Sequence, residues 1–155
     1  MIAGINDLVH VNNHDASALV TGQRSGSGPF GLYRWSGGPL IPLLKAGQAL
    51  PGGGTFKDLD LPDDYLVASN DAGQYAFGAT LTEGGVTRHG AYLLNPDGTL
   101  ALILKEGMTT ALGTVTHLGT AQLDGVGLNN QGQAALSVQI DKGAAEIVLL
   151  TPSTP

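Results

Sequence analysis

Residues 70–81, with the sequence NDAGQYAFGATL, decide the fold because variants of this stretch occur on both sides of it at nearly equal distance. Asn12 begins NNHDASALV and Asn129 begins NNQGQAALSVQI, so the three repeat asparagines lie 58 and 59 residues apart. A period of this length is typical of chains built from repeated structural units. The sequence therefore predicts a repeat protein.

Each unit is predicted to be a four-stranded antiparallel meander, with strands A to D following one another along the chain. The predicted strands are A at residues 5–11, 64–69 and 123–128, B after each repeat asparagine, C at 31–35, 91–94 and 146–150, and D at 40–45 and 100–105. The third unit stops after strand C. The prediction is a single repeat domain over residues 1–155, with units near 1–60, 61–120 and 121–155.

Apolar and turn residues recur at matching places in the units. Leu19, Phe77 and Leu136 each follow the repeat asparagine by seven residues, and this column is predicted to face the core. Trp35 aligns with Leu94 and Leu150 on strand C and is predicted to pack in the core as well. The glycine after each of the second and third asparagines suits a turn that needs a positive φ.

The connections between strands are predicted from glycine, proline and polar residues. Pro42 lacks an amide hydrogen, which places strand D at the edge of its sheet. Residues 95–98, NPDG, form a predicted hairpin turn. Residues 22–29 and 83–89 are predicted to be long loops between B and C, and residues 47–58 and 107–120 are predicted to be linkers.

Repeated four-stranded meanders are the signature of β-propeller blades. The predicted fold class is therefore all-β, with a β-propeller-like array of two and three-quarter blades in the chain. A β-sandwich or a stack of sheets is the alternative.

Composition excludes several functions. Charged residues make up 13% of the chain, which contains 24 glycines and no cysteine, so disulfides, thiolate metal sites and cysteine nucleophiles are absent. The net charge of −6 and the lack of a basic run argue against nucleic acid as a partner. No stretch approaches the length of a membrane-spanning helix, so membrane insertion is not expected.

Histidines and aspartates offer weak candidates for metal binding. His10 and His14 are four residues apart but fall on a strand and the following turn, without the shared helical face of a zinc site, and His89 and His117 are interpreted as loop residues. Asp58, Asp60, Asp63 and Asp64 could supply oxygen ligands to calcium, but Pro62 interrupts the pattern and the loop glycine is missing, so a solvated linker is preferred. No metal or other cofactor is predicted.

Charged residues are candidates for catalysis and for glycan binding. Neither a G-x-S-x-G elbow nor a G-x-G-x-x-G loop is present. A glycosidase would need two converging carboxylates, and the candidates Glu83, Asp97, Glu106 and Glu146 fall on predicted turns or a strand with nothing to single one out. Arg24, Arg88 and Lys142 recur in the loops between B and C, where solvation explains them more simply than an anionic glycan does. Lys45 and Lys105 end strand D, where a charge discourages edge pairing. No catalytic, cofactor-binding or metal-binding residue is assigned.

The motif N-x-x-G-Q-x-A-F at Asn70, Gly73, Gln74, Ala76 and Phe77, with the later G-x-Y, P-D-G-T-L and K-E-G strings, resembles a family of bacterial secreted or cell-surface tandem-repeat proteins. The third copy keeps the asparagine, glycine, glutamine and alanine but has leucine in place of phenylalanine, and the first copy lacks the Gly-Gln pair. The resemblance implies a propeller-like fold and an extracellular or cell-envelope location. It transfers no catalytic residue.

The predicted function is a non-catalytic repeat module for binding or assembly outside the cytoplasm, and the alternative is a propeller-type hydrolase or lyase that acts on a glycan. An incomplete set of blades exposes the flanks of the terminal units, so the chain is predicted to self-associate. A closed homodimer is favoured over a filament. A glycan or a surface protein is the alternative partner.

Overall fold

The structure is a computed structural model that describes residues 4–12, 17–23, 30–59, 67–118, 126–141, 143 and 145–151. These residues form fourteen β-strands and contain no helix. The strands are β1 (Gly4–Asn12), β2 (Ser17–Gln23), β3 (Phe30–Trp35), β4 (Ile41–Lys45), β5 (Thr55–Leu59), β6 (Val67–Ser69), β7 (Tyr75–Glu83), β8 (Val86–Leu94), β9 (Leu100–Lys105), β10 (Thr109–Thr110), β11 (Gly113–Leu118), β12 (Val126–Leu128), β13 (Ala134–Ile140) and β14 (Ala145–Leu150).

The strands form three antiparallel sheets, one for each repeat asparagine. Sheet 1 has the order β1-β2-β3-β4, which is the predicted meander A-B-C-D. Sheet 2 has the order β5-β7-β8-β9 with β6 also paired to β7, and sheet 3 has the order β10-β11-β13-β12 with β14 also paired to β13. The all-β class and the antiparallel meanders are therefore confirmed.

Strand A is divided into two parts in the second and third sheets, which the sequence did not predict. β5 and β6 pair with the two halves of β7, and β11 and β12 pair with the two halves of β13. The prediction that residues 47–58 and 107–120 are linkers is wrong, because β5, β10 and β11 lie in them. Their short runs lack the length and alternation that would have distinguished them from loops.

The turns are tighter than the sequence suggested. β7 runs on to Glu83 and β8 begins at Val86, so the predicted long loop at 83–89 is a two-residue turn. Gly84 and Gly85 occupy this turn with φ values of 57° and 81°, and two glycines meet the need of such hairpins for positive φ at both central positions. The NPDG hairpin is confirmed, with a 2.9 Å hydrogen bond from the Gly98 N–H to the Asn95 carbonyl.

Strand D is outermost in sheets 1 and 2, as Pro42 predicted. β4 and β9 are the last strands of their sheets. Each pairs with strand C through a bulge at the same place, between Leu32 and Tyr33 in sheet 1 and between Ala91 and Tyr92 in sheet 2. Among the described residues no strand pairs with the outer edge of β14, so sheet 3 lacks strand D there.

The sheets stack in chain order, and the core lies in the two layers between them. The first layer joins residues of sheets 1 and 2, and the second joins residues of sheets 2 and 3. The face of a sheet toward the next sheet is called its forward face, and the face toward the previous sheet its rear face. In β7, Tyr75 and Phe77 belong to the first layer and Ala76 belongs to the second, as expected when successive side chains point to opposite faces.

The repeat column is buried throughout, but its first member is shifted by one residue. Phe77 pairs with Tyr92 across sheet 2, whereas in sheet 1 Tyr33 pairs with Val20 and not with Leu19. Leu19 therefore faces forward into the first layer, where Phe77 faces rearward into the same layer. A one-residue change of register moves a side chain to the other face of a sheet. The prediction that this column faces the core is confirmed, but Leu19 and Phe77 face the first layer from opposite sides.

Candidate functional site

The turn that begins at Asn70 is held by the side chain of this asparagine. Its Oδ1 accepts hydrogen bonds from the N–H groups of Ala72 at 3.1 Å and Gln74 at 3.0 Å. Gly73 completes the turn with a φ of 74°, which a residue with a Cβ rarely adopts. The turn at Asn129 repeats both asparagine bonds. The repeat asparagine is thus a turn residue, as predicted. Its side-chain oxygen makes these turn bonds, so its amide nitrogen can donate hydrogen bonds elsewhere.

The amide nitrogen of the repeat asparagine joins one unit to the next. The Asn12 Nδ2 donates to the backbone carbonyl of Asn70 at 3.2 Å, and the Asn70 Nδ2 donates to the backbone carbonyl of Asn129 at 2.8 Å. We call this series the asparagine ladder. Asn12 and Asn70 are buried, and a buried amide that is fully hydrogen-bonded fixes the register of the parts it joins.

At Asn129, the last asparagine of the ladder, the side-chain Nδ2 has one hydrogen without an acceptor among the described residues. The Asn70 Nδ2 uses both hydrogens, one for Gln74 Oε1 at 2.7 Å and one for the next unit. The Asn129 Nδ2 donates to Gln133 Oε1 at 2.8 Å and has no second acceptor among the described residues. Asn129 is also exposed, unlike the two asparagines before it. The last rung of the ladder therefore offers a hydrogen bond to whatever would follow sheet 3.

The rear face of sheet 1 is an apolar surface. Val11 pairs with Ala18, and Ala18 pairs with Trp35, so the three side chains form one row across the sheet. Val11 is 49% exposed and Trp35 is 46% exposed, whereas Ala18, Val20 and Tyr33 on the same face are buried. The prediction that Trp35 packs in the core is wrong for the chain as described. Its counterpart Leu94 is 1% exposed because sheet 1 covers it, and no described strand covers Trp35 in the same way.

The forward face of sheet 3 is apolar and exposed too. Ile147 is 70% exposed and Leu149 is 63% exposed. The pairings of β14 with β13 place these residues where sheet 2 has Ala91 and Leu93. Ala91 and Leu93 are buried in the second layer, beneath sheet 3. The two outer faces, the rear face of sheet 1 and the forward face of sheet 3, are thus the same kinds of surface that pair inside the chain.

A charged cluster lies at the outer end of sheet 2. Lys105 is buried, and its Nζ donates to Glu83 Oε1 at 2.8 Å and to the Gly52 carbonyl at 2.7 Å. Glu83 also pairs with Arg88, whose Nε lies 3.3 Å from Oε2. The hydrogen bond from Lys105 holds the pKa of Glu83 below its ordinary value. Lys105 therefore ties a loop to the sheet and is not the exposed edge charge that the sequence suggested, and Arg88 lies on β8 and not at a loop tip.

His89 and His117 lie on strands β8 and β11, so their interpretation as loop residues is wrong. Their ring centroids are 6.3 Å apart. Glu106 joins them, since its Oε2 accepts from the His89 N–H at 2.9 Å and its Oε1 lies 3.2 Å from His117 Nδ1. No group of three or more potential metal-ligating side chains gathers among the described residues. The cluster links sheets 2 and 3 and carries no metal assignment.

The remaining candidates for chemistry are engaged in local contacts or lie outside the described residues. Asp97 accepts hydrogen bonds from the Thr99 N–H and hydroxyl, and these bonds hold its pKa below the ordinary value. Asp58 accepts from the Leu59 N–H, while burial raises its pKa. Glu146 is exposed on β14, Lys45 is exposed at the end of β4, and His10 lies in β1 opposite Leu19. The candidates outside the described residues are His14, Arg24, Asp60, Asp63, Asp64 and Lys142.

Sequence reasoning missed the functional part of the repeat asparagine. It identified the turn but not the bond between units, because the amide nitrogen contacts a residue 58 or 59 positions away. The available signal was the period itself, since a polar residue that recurs once per unit can bond to its own copy when the units stack. Ile147 and Leu149 also gave a signal, as bulkier residues where the middle unit has Ala91 and Leu93.

The described residues include no helix that is long and apolar enough to cross a bilayer. A family of unknown function (DUF7453) matches the chain over residues 4–147. Neither a curated protein nor a solved structure matches it.

Proposed function

The chain belongs to the DUF7453 family, whose function is unknown, and we propose from the structure that it is a non-catalytic repeat module that assembles through its two outer faces. The observation that carries this proposal is the match between each outer face and a surface that is already paired inside the chain. The partner is a second copy, whose rear face of sheet 1 packs on the forward face of sheet 3.

The contacts inside the chain provide the template for this assembly. Twice in one chain a forward face packs on the next rear face, and twice an asparagine amide donates to the next repeat carbonyl. A third repetition would bury Ile147 and Leu149 against the row that contains Trp35. It would also direct the Asn129 Nδ2 toward the Asn12 carbonyl of the second copy. Exposed apolar faces of this kind are typical of interaction surfaces.

The assembly is proposed to be propeller-like. β6 lies against β1 on one side and β12 on the other, so parts of strand A from all three units gather along one line. Strands gathered in this way suit the centre of a ring of radially arranged sheets. Two chains would supply about six sheets, within the usual range of propellers. A contact of unlike faces closes into a ring or grows into a filament, and we favour the closed dimer.

The location is proposed to be extracellular or in the cell envelope. This proposal depends on the resemblance of the repeat motif at Asn70 to those of bacterial secreted and cell-surface proteins. Fractionation of cells that express the natural gene, with immunodetection of the protein, is expected to place it outside the cytoplasm. Recovery in the cytoplasmic fraction alone would contradict the proposed location, but it would not contradict the proposed assembly.

Light scattering coupled to size exclusion tests the assembly. The wild-type chain, of 15.8 kDa, is expected to run as a dimer or larger species. The double substitution Ile147→Lys with Leu149→Lys should shift it to the monomer, because two desolvated ammonium groups cannot be accommodated in an apolar interface. Both side chains are more than half exposed in the single chain, so the fold should tolerate the change.

The matched control is Leu112→Lys. Leu112 is 61% exposed on the turn between β10 and β11 and belongs to neither of the rows that form the two outer faces. This variant should keep the wild-type mass. A wild-type chain that stays at 15.8 kDa at all concentrations tested, or equal dissociation by Leu112→Lys, would contradict the proposal.

A further inference from the structure

A groove between sheets 2 and 3 lies beside the outer edge of β14. Its volume is about 440 Å³. Its walls are Pro51, β9 over residues 100–104, the segment 108–110, Leu150 at the end of β14, and Thr151 after it. The lining is largely aliphatic, and among the described residues the neighbouring edge of β14 has no strand paired to it.

The two complete sheets show what occupies the corresponding place. In sheet 1 β4 pairs with β3, and in sheet 2 β9 pairs with β8, each as strand D outside strand C. Both D strands are aliphatic and end in lysine, as IPLLK and LALILK. β14 is strand C of sheet 3, so the groove lies where strand D of that sheet would run.

We propose that this groove is an acceptor site for an extended polypeptide segment with aliphatic side chains and free backbone amides, which pairs with β14 as strand D of sheet 3. The inference goes beyond assembly through the two outer faces, since it concerns an edge of sheet 3 and a different partner surface. Addition of a strand to an exposed edge combines main-chain hydrogen bonds with pockets for alternate side chains.

The register of the incoming segment follows from sheet 2. There Leu94 pairs with Leu100, Leu93 with Ala101 and Ala91 with Leu104, with a bulge between Ala91 and Tyr92. The counterparts on β14 are Leu150, Leu149 and Ile147. The incoming strand should therefore run antiparallel to β14, with a bulge opposite the step from Ile147 to Val148. Its rear-facing side chains would lie on Ala101 and Ile103.

A synthetic peptide tests the site directly. The probe is a fluorescein-labelled peptide with the sequence of residues 99–107, TLALILKEG, titrated with the full chain and followed by fluorescence anisotropy. Saturable binding is expected, with amide exchange slowed along β14. Two further peptides carry backbone N-methyl groups at alternate residues, one set in each phase. Since alternate amides of a strand point to the same side, one phase should lose binding at least tenfold and the other should retain it.

Two variants of the protein separate the groove from other apolar surfaces. Met108→Glu places a carboxylate at the groove wall on a side chain that is already partly exposed, and it should weaken peptide binding at least tenfold. Leu112→Glu adds the same charge outside the groove and should leave binding unchanged.

Three results would overturn the proposal. They are no binding of the unmodified peptide, equal binding of both N-methylated peptides, and equal loss with Met108→Glu and Leu112→Glu. Equal binding of both N-methylated peptides would mean that the groove takes apolar side chains without strand pairing. The mass of the chain, measured in the same samples by light scattering, reports on assembly through the outer faces independently of each outcome.

Discussion

At the scale of single residues, the G-x-Y pattern on strand C has a steric cause. A Cβ at Gly90 would lie 2.9 Å from Cε2 and 3.1 Å from the hydroxyl of Tyr92. A Cβ at Gly31 would lie 3.0 Å from the same two atoms of Tyr33. Residues two apart share a face of the strand, so the glycine leaves the space that the ring fills. The pattern that marks the repeat in the sequence is therefore a packing requirement.

This packing predicts the effect of Gly90→Ala. The Tyr92 ring is fully buried and cannot move aside, so the added methyl group should lower the free energy of unfolding by about 1 to 3 kcal/mol, the usual cost of overpacking. Chemical denaturation measures this cost. Gly38→Ala is the matched control, because a Cβ there meets no atom within 4 Å, and it should change stability by less than about 0.5 kcal/mol. Equal effects of the two changes would show that the ring does not depend on the glycine.

Burial of the Tyr92 hydroxyl also changes its pKa. Burial is the main cause that raises the pKa of Tyr92 to about 12, with the negative charge of Glu83 as the second cause. The hydroxyl has no hydrogen-bond partner among the described residues. A phenol in this position stays neutral at physiological pH and contributes through the packing of its ring.

At the scale of the strands, the sequence predicted the elements with strong local signals. Strands B, C and D are short runs rich in apolar residues and bounded by turn residues, and the turns at Asn70 and Asn95 have the residues that their geometry needs. Strand A was predicted only in part, because its two short halves are set by pairing with β7 and β13 and not by a local pattern. The sequence did not reveal which side of the core Leu19 faces, since Tyr33 pairs with the eighth residue after Asn12 whereas Tyr92 pairs with the seventh residue after Asn70.

The asparagine ladder predicts that the same substitution costs more stability at Asn70 than at Asn129. Asn70→Asp keeps the turn acceptor but replaces the donor to the Asn129 carbonyl with a buried carboxylate, so it should cost at least about 2 kcal/mol of unfolding free energy. Asn129→Asp keeps the same acceptor at an exposed site, and its cost to the monomer should stay under about 1 kcal/mol. Urea denaturation at low protein concentration measures both.

The same two variants also separate stability from assembly. Asn129→Asp removes the amide that we assign to the second copy, so its mass by light scattering should fall toward that of the monomer at concentrations where the wild-type chain is associated. A large stability loss in Asn129→Asp would mean that its amide contributes to the fold of the single chain as strongly as the amide of Asn70 does. An unchanged mass would show that the last rung takes no part in the contact between copies.

At the scale of the whole molecule, the stack could be predicted from the period, but its ends could not. Exposure of Trp35, Ile147 and Leu149 depends on which sheet lies beside each one, and the sequence alone places Trp35 in the same alignment column as the buried Leu94. The polar contacts between sheets could not be predicted either, because they join residues far apart in the sequence. Arg34, for example, donates to the Pro96 carbonyl at 3.0 Å, and the two residues are 62 positions apart. Contacts between copies of a repeat follow from stacking and not from local composition.

The geometry of the outer faces predicts that the contact between copies joins unlike surfaces. The chain contains no cysteine, so Trp35→Cys and Leu149→Cys each introduce a single thiol at an exposed position of one outer face. With a short bismaleimide, a mixture of the two variants should form a covalent dimer, while either variant alone should crosslink poorly, because a contact of unlike faces never brings two copies of one face together. Strong crosslinking of either variant alone would contradict this arrangement.

A chain that carries both thiols then distinguishes a closed ring from a filament. In a closed dimer each copy contacts the other at both ends, so the doubly substituted chain should give one covalent dimer on a denaturing gel. A filament leaves one free end at each terminus and should give a ladder of trimers, tetramers and larger products that lengthens with protein concentration. We expect the dimer, since two chains supply about six sheets and a ring of that size buries both outer faces of every copy. A series of larger products would be consistent with the contact between unlike faces, but it would show that the chains form a filament and not a closed ring.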